Sequence, residues 1–309
     1  MTVTAATNLQ ARSWRPDAAA SYPGSPWSGV VGGPASSPLR PASRLVNLSS
    51  RAVVGVGEEA LIAGVTVADT RGKRYLARGV GPALAAFGAT DPVPDPELIL
   101  FTGQGVELRR NQGWSTTPEA AELARLARSA GAFPLPSGSA DAAMIPLLPP
   151  GPYTLQVGTP GGRSGVGLVE VYEVDDGGRT SNLSARARVG ADERALIGGF
   201  VVAGVAAKRM LLRAVGPTLA GFGVQGVLAD PVLTVFAGAE RVADNDQWAA
   251  GGAGPAVAAA SRSVGAFALR EGSEDAALIL TVKPGAYTVE LRGKARGEGV
   301  ALLEIYELP

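Results

Sequence analysis

Residues 211–219 read Leu211-Leu212-Arg213-Ala214-Val215-Gly216-Pro217-Thr218-Leu219, and residues 76–84 carry the same string with Ala77, Gly79 and Ala83 in place of Leu212, Ala214 and Thr218. The two stretches lie 135 residues apart. Working outward at that offset, Asn47 meets Asn182, Gly55 meets Gly190, Arg78 meets Arg213, and Asp95-Pro96 meets Asp230-Pro231. After a one-residue deletion the register continues at 134: Trp114 meets Trp248, Asp141-Ala142-Ala143 meets Asp275-Ala276-Ala277, and Glu170-Val171-Tyr172-Glu173 meets Glu304-Ile305-Tyr306-Glu307. A period this long exceeds a solenoid unit, and each copy is large enough to be expected to close a core of its own. The chain of 309 residues is therefore a tandem duplication.

Composition restricts the chemistry. With 28 basic and 28 acidic side chains the net charge is zero, which favours neither nucleic acid nor an anionic membrane as partner. Cysteine and histidine are absent. That removes disulfides, thiolate nucleophiles, Cys/His zinc sites and histidine bases together. No apolar run is long enough for a membrane span, and the opening MTVTAATNLQARSW lacks the basic start and apolar middle of a signal peptide. The expectation is a cytoplasmic protein or one numbered after processing, without a C-terminal anchor after GVALLEIYELP.

In each copy, short Val/Ile/Leu runs are separated by Gly and Pro turns. The strands expected in the first are Leu45–Ser49, Ala60–Ala68, Lys73–Gly79, Glu97–Thr102, Ala142–Leu148, Tyr153–Gly158 and Gly165–Val174. One helix interrupts them, with Thr117 as cap, Pro118 at its first position, Leu123 and Leu126 on one face and Gly131 as stop. A shorter, alanine-rich helix is expected after Gly254. The fold class is all-β: two tandem homologous β-sandwich, jelly-roll-like domains at 44–174 and 180–309, each with one short helix, joined by a linker at 175–179.

Residues 1–43 form a Pro/Gly/Ser-rich N-terminal arm with almost no period. Thr2-Val3-Thr4-Ala5-Ala6-Thr7 has β character, and Val3, Trp14, Tyr22, Trp27, Val30 and Val31 are apolar groups that a purely solvated leader does not need. The arm is either a flexible leader or a segment that packs on a neighbouring subunit, for instance by adding a strand to a sheet edge.

The strings NLSxRxxVGxxxxxLIxGF, LLRAVGPTLxxFGV followed by ADPxLxxF, and GAFxLxxGSxDAA, PGxYTxxVxG, GVxLxEVYE resemble repeats of large secreted bacterial surface proteins. The resemblance covers both copies, roughly 44–309, is closer in the second, and excludes the arm. It implies an extracellular, non-catalytic β-domain, and it implies no active site.

Several residues are candidate sites. Arg78 and Arg213 lie in apolar strands before Gly-Pro turns, where a charge needs a partner; Asp141 and Asp275, or Asp95 and Asp230, are the expected ones, giving a structural ion pair at the turn or a substrate-binding arginine. Trp114 and Trp248 follow polar loops containing Asn111 and, in the second copy, Asn245 and Asp246. Exposed, they form a glycan contact by stacking and hydrogen bonding; buried, they plug the sandwich end. Asp244, Asn245 and Asp246 offer oxygens to calcium, but the first copy has Arg110, Asn111 and Gln112 there. Asn47-Leu48-Ser49 and Asn182-Leu183-Ser184 match the N-glycosylation pattern or open a strand from a turn. Glu170 and Glu173, like Glu304 and Glu307, are three apart on a strand, so each pair faces opposite sides and cannot share a substrate. No cofactor or metal centre is expected. The leading expectation is a non-enzymatic extracellular structural protein assembling with itself head to tail through the arm into a filament or sheath. A glycan-binding adhesion module of the cell surface is the alternative, and passive spacer domains the third.

Overall fold

The computed structural model describes residues 43–55, 60–68, 71–190 and 195–309. The arm residues Val3, Trp14, Tyr22, Trp27, Val30 and Val31 lie outside them. The fold is all-β, built of two antiparallel sheets. In the first repeat the strands are β1 (Arg44–Val54), β2 (Leu61–Ala68), β3 (Lys73–Val80), β4 (Glu97–Thr102), β5 (Glu107–Asn111), β6 (Ala142–Met144), β7 (Leu147–Leu148), β8 (Gly151–Gly158) and β9 (Gly165–Glu173). The second repeat supplies β10 (Arg179–Val189), β11 (Leu196–Ala203), β12 (Lys208–Val215), β13 (Pro231–Ala237), β14 (Glu240–Asn245), β15 (Ala276–Val282), β16 (Gly285–Gly293) and β17 (Gly299–Glu307).

Each repeat divides its strands between both sheets. One sheet runs β14-β13-β16-β11-β1-β9-β3-β6, with β7 also on β3; the other runs β15-β12-β17-β10-β2-β8-β4-β5. Exchanging the repeats converts one order into the other, so the duplication appears in space as a two-fold topological symmetry. The expectation that each copy closes its own core is corrected here. β1 pairs with β11 and β10 with β2, so both sheets pass without a break from one repeat into the other. One buried cluster runs from Leu45 and Leu61 through Leu183 and Leu212 to Leu303.

The junction is encoded by residues that repeat. Gly199 of β11 stands opposite Ser49 of β1, and Gly64 of β2 stands opposite Ser184 of β10. A Cβ on either glycine would collide with the facing serine hydroxyl. Asn47-Leu48-Ser49 is thus a junction sequence within a central strand, with Asn47 and Ser49 buried. This placement removes the access a glycosylation acceptor needs. The linker carries its own hydrogen bonds: Asp175 accepts the Arg74 and Gly177 N–H groups at 2.9 and 3.0 Å and the Lys73 ammonium at 3.3 Å.

Two helices lie outside the sheets, α1 (Ala120–Ser129) and α2 (Gly254–Ser263). Both have ten residues, so the second is not the shorter. α1 starts three residues beyond the expected Thr117 cap. Thr117 is extended, and its hydroxyl donates to the Trp114 carbonyl at 3.1 Å instead of capping the helix. Leu123 and Leu126 face the sheet as their spacing requires, and Gly131 has the positive φ of 73° that ends the helical run. The expected strand over 142–148 is split into β6 and β7 at Ile145-Pro146, because proline has no N–H to complete the ladder with β3. β5 was missed because Glu107, Arg109 and Arg110 give it the look of a polar loop.

Candidate functional site

The repeated charged residues form two buried clusters, one beneath each helix. In register, β3 places Arg78 directly opposite Glu170 of β9, and β12 places Arg213 opposite Glu304 of β17. Arg78 Nε donates to Glu170 Oε2 at 2.7 Å, and its Nη1 donates to the Phe133 carbonyl at 2.6 Å. The Phe133 ring covers the guanidinium at 4.3 Å. Glu170 Oε1 accepts the Tyr172 hydroxyl at 2.6 Å. The second repeat reproduces this: Arg213 Nε lies 2.9 Å from Glu304 Oε2, Nη1 donates to the Phe267 carbonyl at 2.7 Å, Phe267 covers it at 4.4 Å, and Tyr306 donates to Glu304 at 2.6 Å. Ser261, aligned with Ala127, adds a hydroxyl 3.2 Å from Arg213 Nη1.

The expected arginine partners are therefore corrected. Asp141 and Asp275 are both fully buried, yet each serves the turn rather than the arginine. Asp141 Oδ1 accepts the N–H groups of Gly81 and Ala83 at 2.8 and 3.3 Å, and Asp275 does the same for Gly216 and Thr218. These are the orphan donors at the start of a short 3-10 helix, and a carboxylate there also meets the positive end of its peptide dipoles. Asp95 accepts from Thr159 and Gly161, and Asp230 lies 3.7 Å from Lys294. Cross-strand register decided what sequence distance did not. Glu170 and Glu304 repeat as faithfully as the arginines, and the shared GVxLxExYE string is the available signal.

These clusters are closed. Burial, then the adjacent Glu170 carboxylate, pushes the Tyr172 phenol well above its ordinary range, and Tyr306 is raised for the same reasons beside Glu304. Glu173 faces the opposite side, between the sheets, as the spacing required. It binds Arg44 at 2.9 Å and Lys73 at 3.0 Å and accepts the Thr180 hydroxyl at 2.7 Å. Glu307 takes Arg179 at 2.7 Å together with Lys208. Glu173 thus links the first repeat to the first strand of the second.

Trp114 and Trp248 are each only 8 % exposed. The Trp114 indole donates to the Pro136 carbonyl at 3.0 Å and packs with Leu123, Leu126 and Ile145 beneath α1; Trp248 lies against Val257 of α2. The stacking face that a sugar needs is covered in both. A cavity of about 100 Å³ remains under α1, lined by Leu76, Arg78, Trp114, Leu123, Ala127 and Leu135. It is apolar except for Arg78, already held by Glu170, and Arg128 at the end of α1.

The polar loop residues are likewise engaged. Asn111 Oδ1 accepts the Ala143 N–H at 2.8 Å, and Asn245 Oδ1 accepts that of Ala277 at 2.9 Å, each tying the edge of one sheet to the edge of the other. Asp246 pairs with Lys294 at 2.8 Å, which lowers its carboxyl below the usual range, and Asp244 pairs with Arg241 at 2.7 Å. Among the described residues no three His, Cys, Asp or Glu side chains gather as a metal site. Among them, too, no helix is long and apolar enough to cross a membrane.

Compared with known protein families and with curated proteins, the chain matches no family model and no curated relative. The geometry leaves the outer strands of the two sheets as the candidate functional surface. At one end of the body these are β6, β7 and β5, and at the other β15 and β14.

Proposed function

We propose that the chain is a non-enzymatic, extracellular structural subunit that joins copies of itself head to tail into a filament or sheath through its N-terminal arm. The observation that carries this reading is the fusion of the repeats into one body whose outermost strands, among the described residues, are each paired on one side only. Outer strands offer rows of backbone donors and acceptors to an incoming strand. A contact between two different surfaces that does not close on itself propagates as a fibre. The titratable clusters support the non-catalytic part, since Arg78, Arg213, Glu170 and Glu304 already bind one another away from solvent. The likeness of the repeats to those of secreted bacterial surface proteins supports the extracellular placement. Deletion of residues 1–43, followed by electron microscopy, tests the reading. The full chain is expected to polymerise and the truncated chain to remain as single folded bodies, whereas equal assembly of both would remove the arm from the account.

A further inference from the structure

The four outer edges are not equivalent. β5 carries Glu107, Arg109 and Arg110 and a register shift between Leu100 and Phe101 of its partner. β14 carries Glu240, Arg241 and Asp244 and a matching shift between Val235 and Phe236. The β6/β7 edge is broken at Pro146. Charge, bulges and proline are the devices that keep a sheet edge from accepting another strand. β15 has none of them. It reads AALILTV, seven residues paired with β12 in unbroken register, and among the described residues it pairs with β12 alone.

Its outward side carries backbone groups that β12 does not use. The Ala277 N–H donates to Asn245 rather than to β12. Backbone groups alternate in direction along an antiparallel strand, so those of Ile279 and Thr281 also face away from β12. The side chains are incompletely covered as well. Leu278, Ile279 and Leu280 are half-buried, whereas the aligned Met144, Ile145 and Pro146 of the first repeat are buried.

We propose that β15 is the acceptor edge for the N-terminal arm of a second copy of this chain, with residues 2–7 added as the next strand. The proposal rests on the assembly reading above and names its receiving surface. Thr2-Val3-Thr4-Ala5-Ala6-Thr7 has no charge and no proline. It sets Val3 and Ala5 on one face, beside Leu278 and Leu280, with Thr2 and Thr4 on the other, beside Thr281. The arm joins the body at Ser43, whose hydroxyl accepts the Ala206 N–H at 2.9 Å in the turn before β12. This is the end of β12 at which Lys208 pairs with Val282 of β15. A chain of roughly 35 residues, the number between Thr7 and Ser43, can span at most about 3.3 Å per residue, on the order of 100 Å, which is enough to reach a neighbouring body.

Thr281→Pro and Thr281→Lys test the edge in the full-length chain. Thr281 is exposed, and its N–H faces the free side, so a proline there removes no bond to β12. Both variants are expected to melt like the unaltered chain and to lose polymer yield by about tenfold or more. Because the chain has no cysteine, Val3→Cys and Thr281→Cys chains can be mixed and treated with a short thiol cross-linker. The expected product is a mixed dimer, while exclusively intrachain linkage in a chain carrying both cysteines would overturn the proposal in favour of self-insertion. Full assembly of both Thr281 variants, with assembly lost on deletion of residues 1–43, would place the acceptor elsewhere and leave the assembly reading standing. Absence of polymer from the unaltered chain would remove both.

Discussion

Arg78 and Arg213 show how a buried charge is made tolerable. Each guanidinium has a carboxylate across the strand, a carbonyl at one nitrogen and a phenylalanine ring over its face. Removing one partner of a buried ion pair leaves the other uncompensated, which typically costs about 3–5 kcal/mol. Glu170→Ala is therefore expected to lower unfolding free energy by about that much in urea titration, and Glu304→Ala likewise. A loss under about 1 kcal/mol would mean that Arg78 reaches water. The tyrosines give a pH dependence of known sign. Burial raises the folded-state phenols of Tyr75, Tyr172 and Tyr306, so their contribution is fully present below the unfolded value of about 10 and is lost as pH rises above it. In an alkaline titration these phenolates are expected to appear together with loss of near-ultraviolet dichroism. Their ionisation while the fold stays intact would contradict the packing described.

At the scale of elements, most strands were legible because a duplicated pattern states each one twice. β2, β3, β4, β8 and β9 fall where apolar runs between turn residues place them, whereas β1 runs on past the expected end at Ser49 to Val54. β5 was not legible, because an edge strand facing water has no need of apolar alternation. The partners of Arg78 and Arg213 were not legible either, since register brings Arg78 and Glu170 together across ninety-two positions of sequence. The junction was hidden for a related reason: Gly64 and Ser184, or Ser49 and Gly199, carry no sign of their pairing until the sheets are built. Gly64→Val must displace Ser184 at this seam, and overpacking of this kind costs about 1–3 kcal/mol. The unaltered chain is expected to unfold in one calorimetric transition, because its repeats share both sheets. The variant is expected to melt lower and to broaden or divide that transition; an unchanged profile would show that the seam tolerates a larger side chain.

For the whole molecule, duplication has produced a body with two similar ends that differ at their edges. One end interrupts its strand with Pro146, and the other presents Leu278, Ile279 and Leu280 along an unbroken β15. A body with unlike ends and one arm has the polarity that head-to-tail growth requires. The composition made a catalytic reading difficult, and the closed Arg-Glu-Tyr clusters under α1 and α2 gave the duplicated charges a structural task. The arm is set apart in the sequence because its Pro, Gly and Ser content breaks the period of the repeats. The edge it is proposed to meet was not, because openness is a property of sheet order. Electron microscopy of the full-length chain beside the chain lacking residues 1–43 tests the central claim most directly. The account predicts filaments of constant width from the first and folded monomers from the second; a monodisperse full-length chain, or filaments from both, would contradict it.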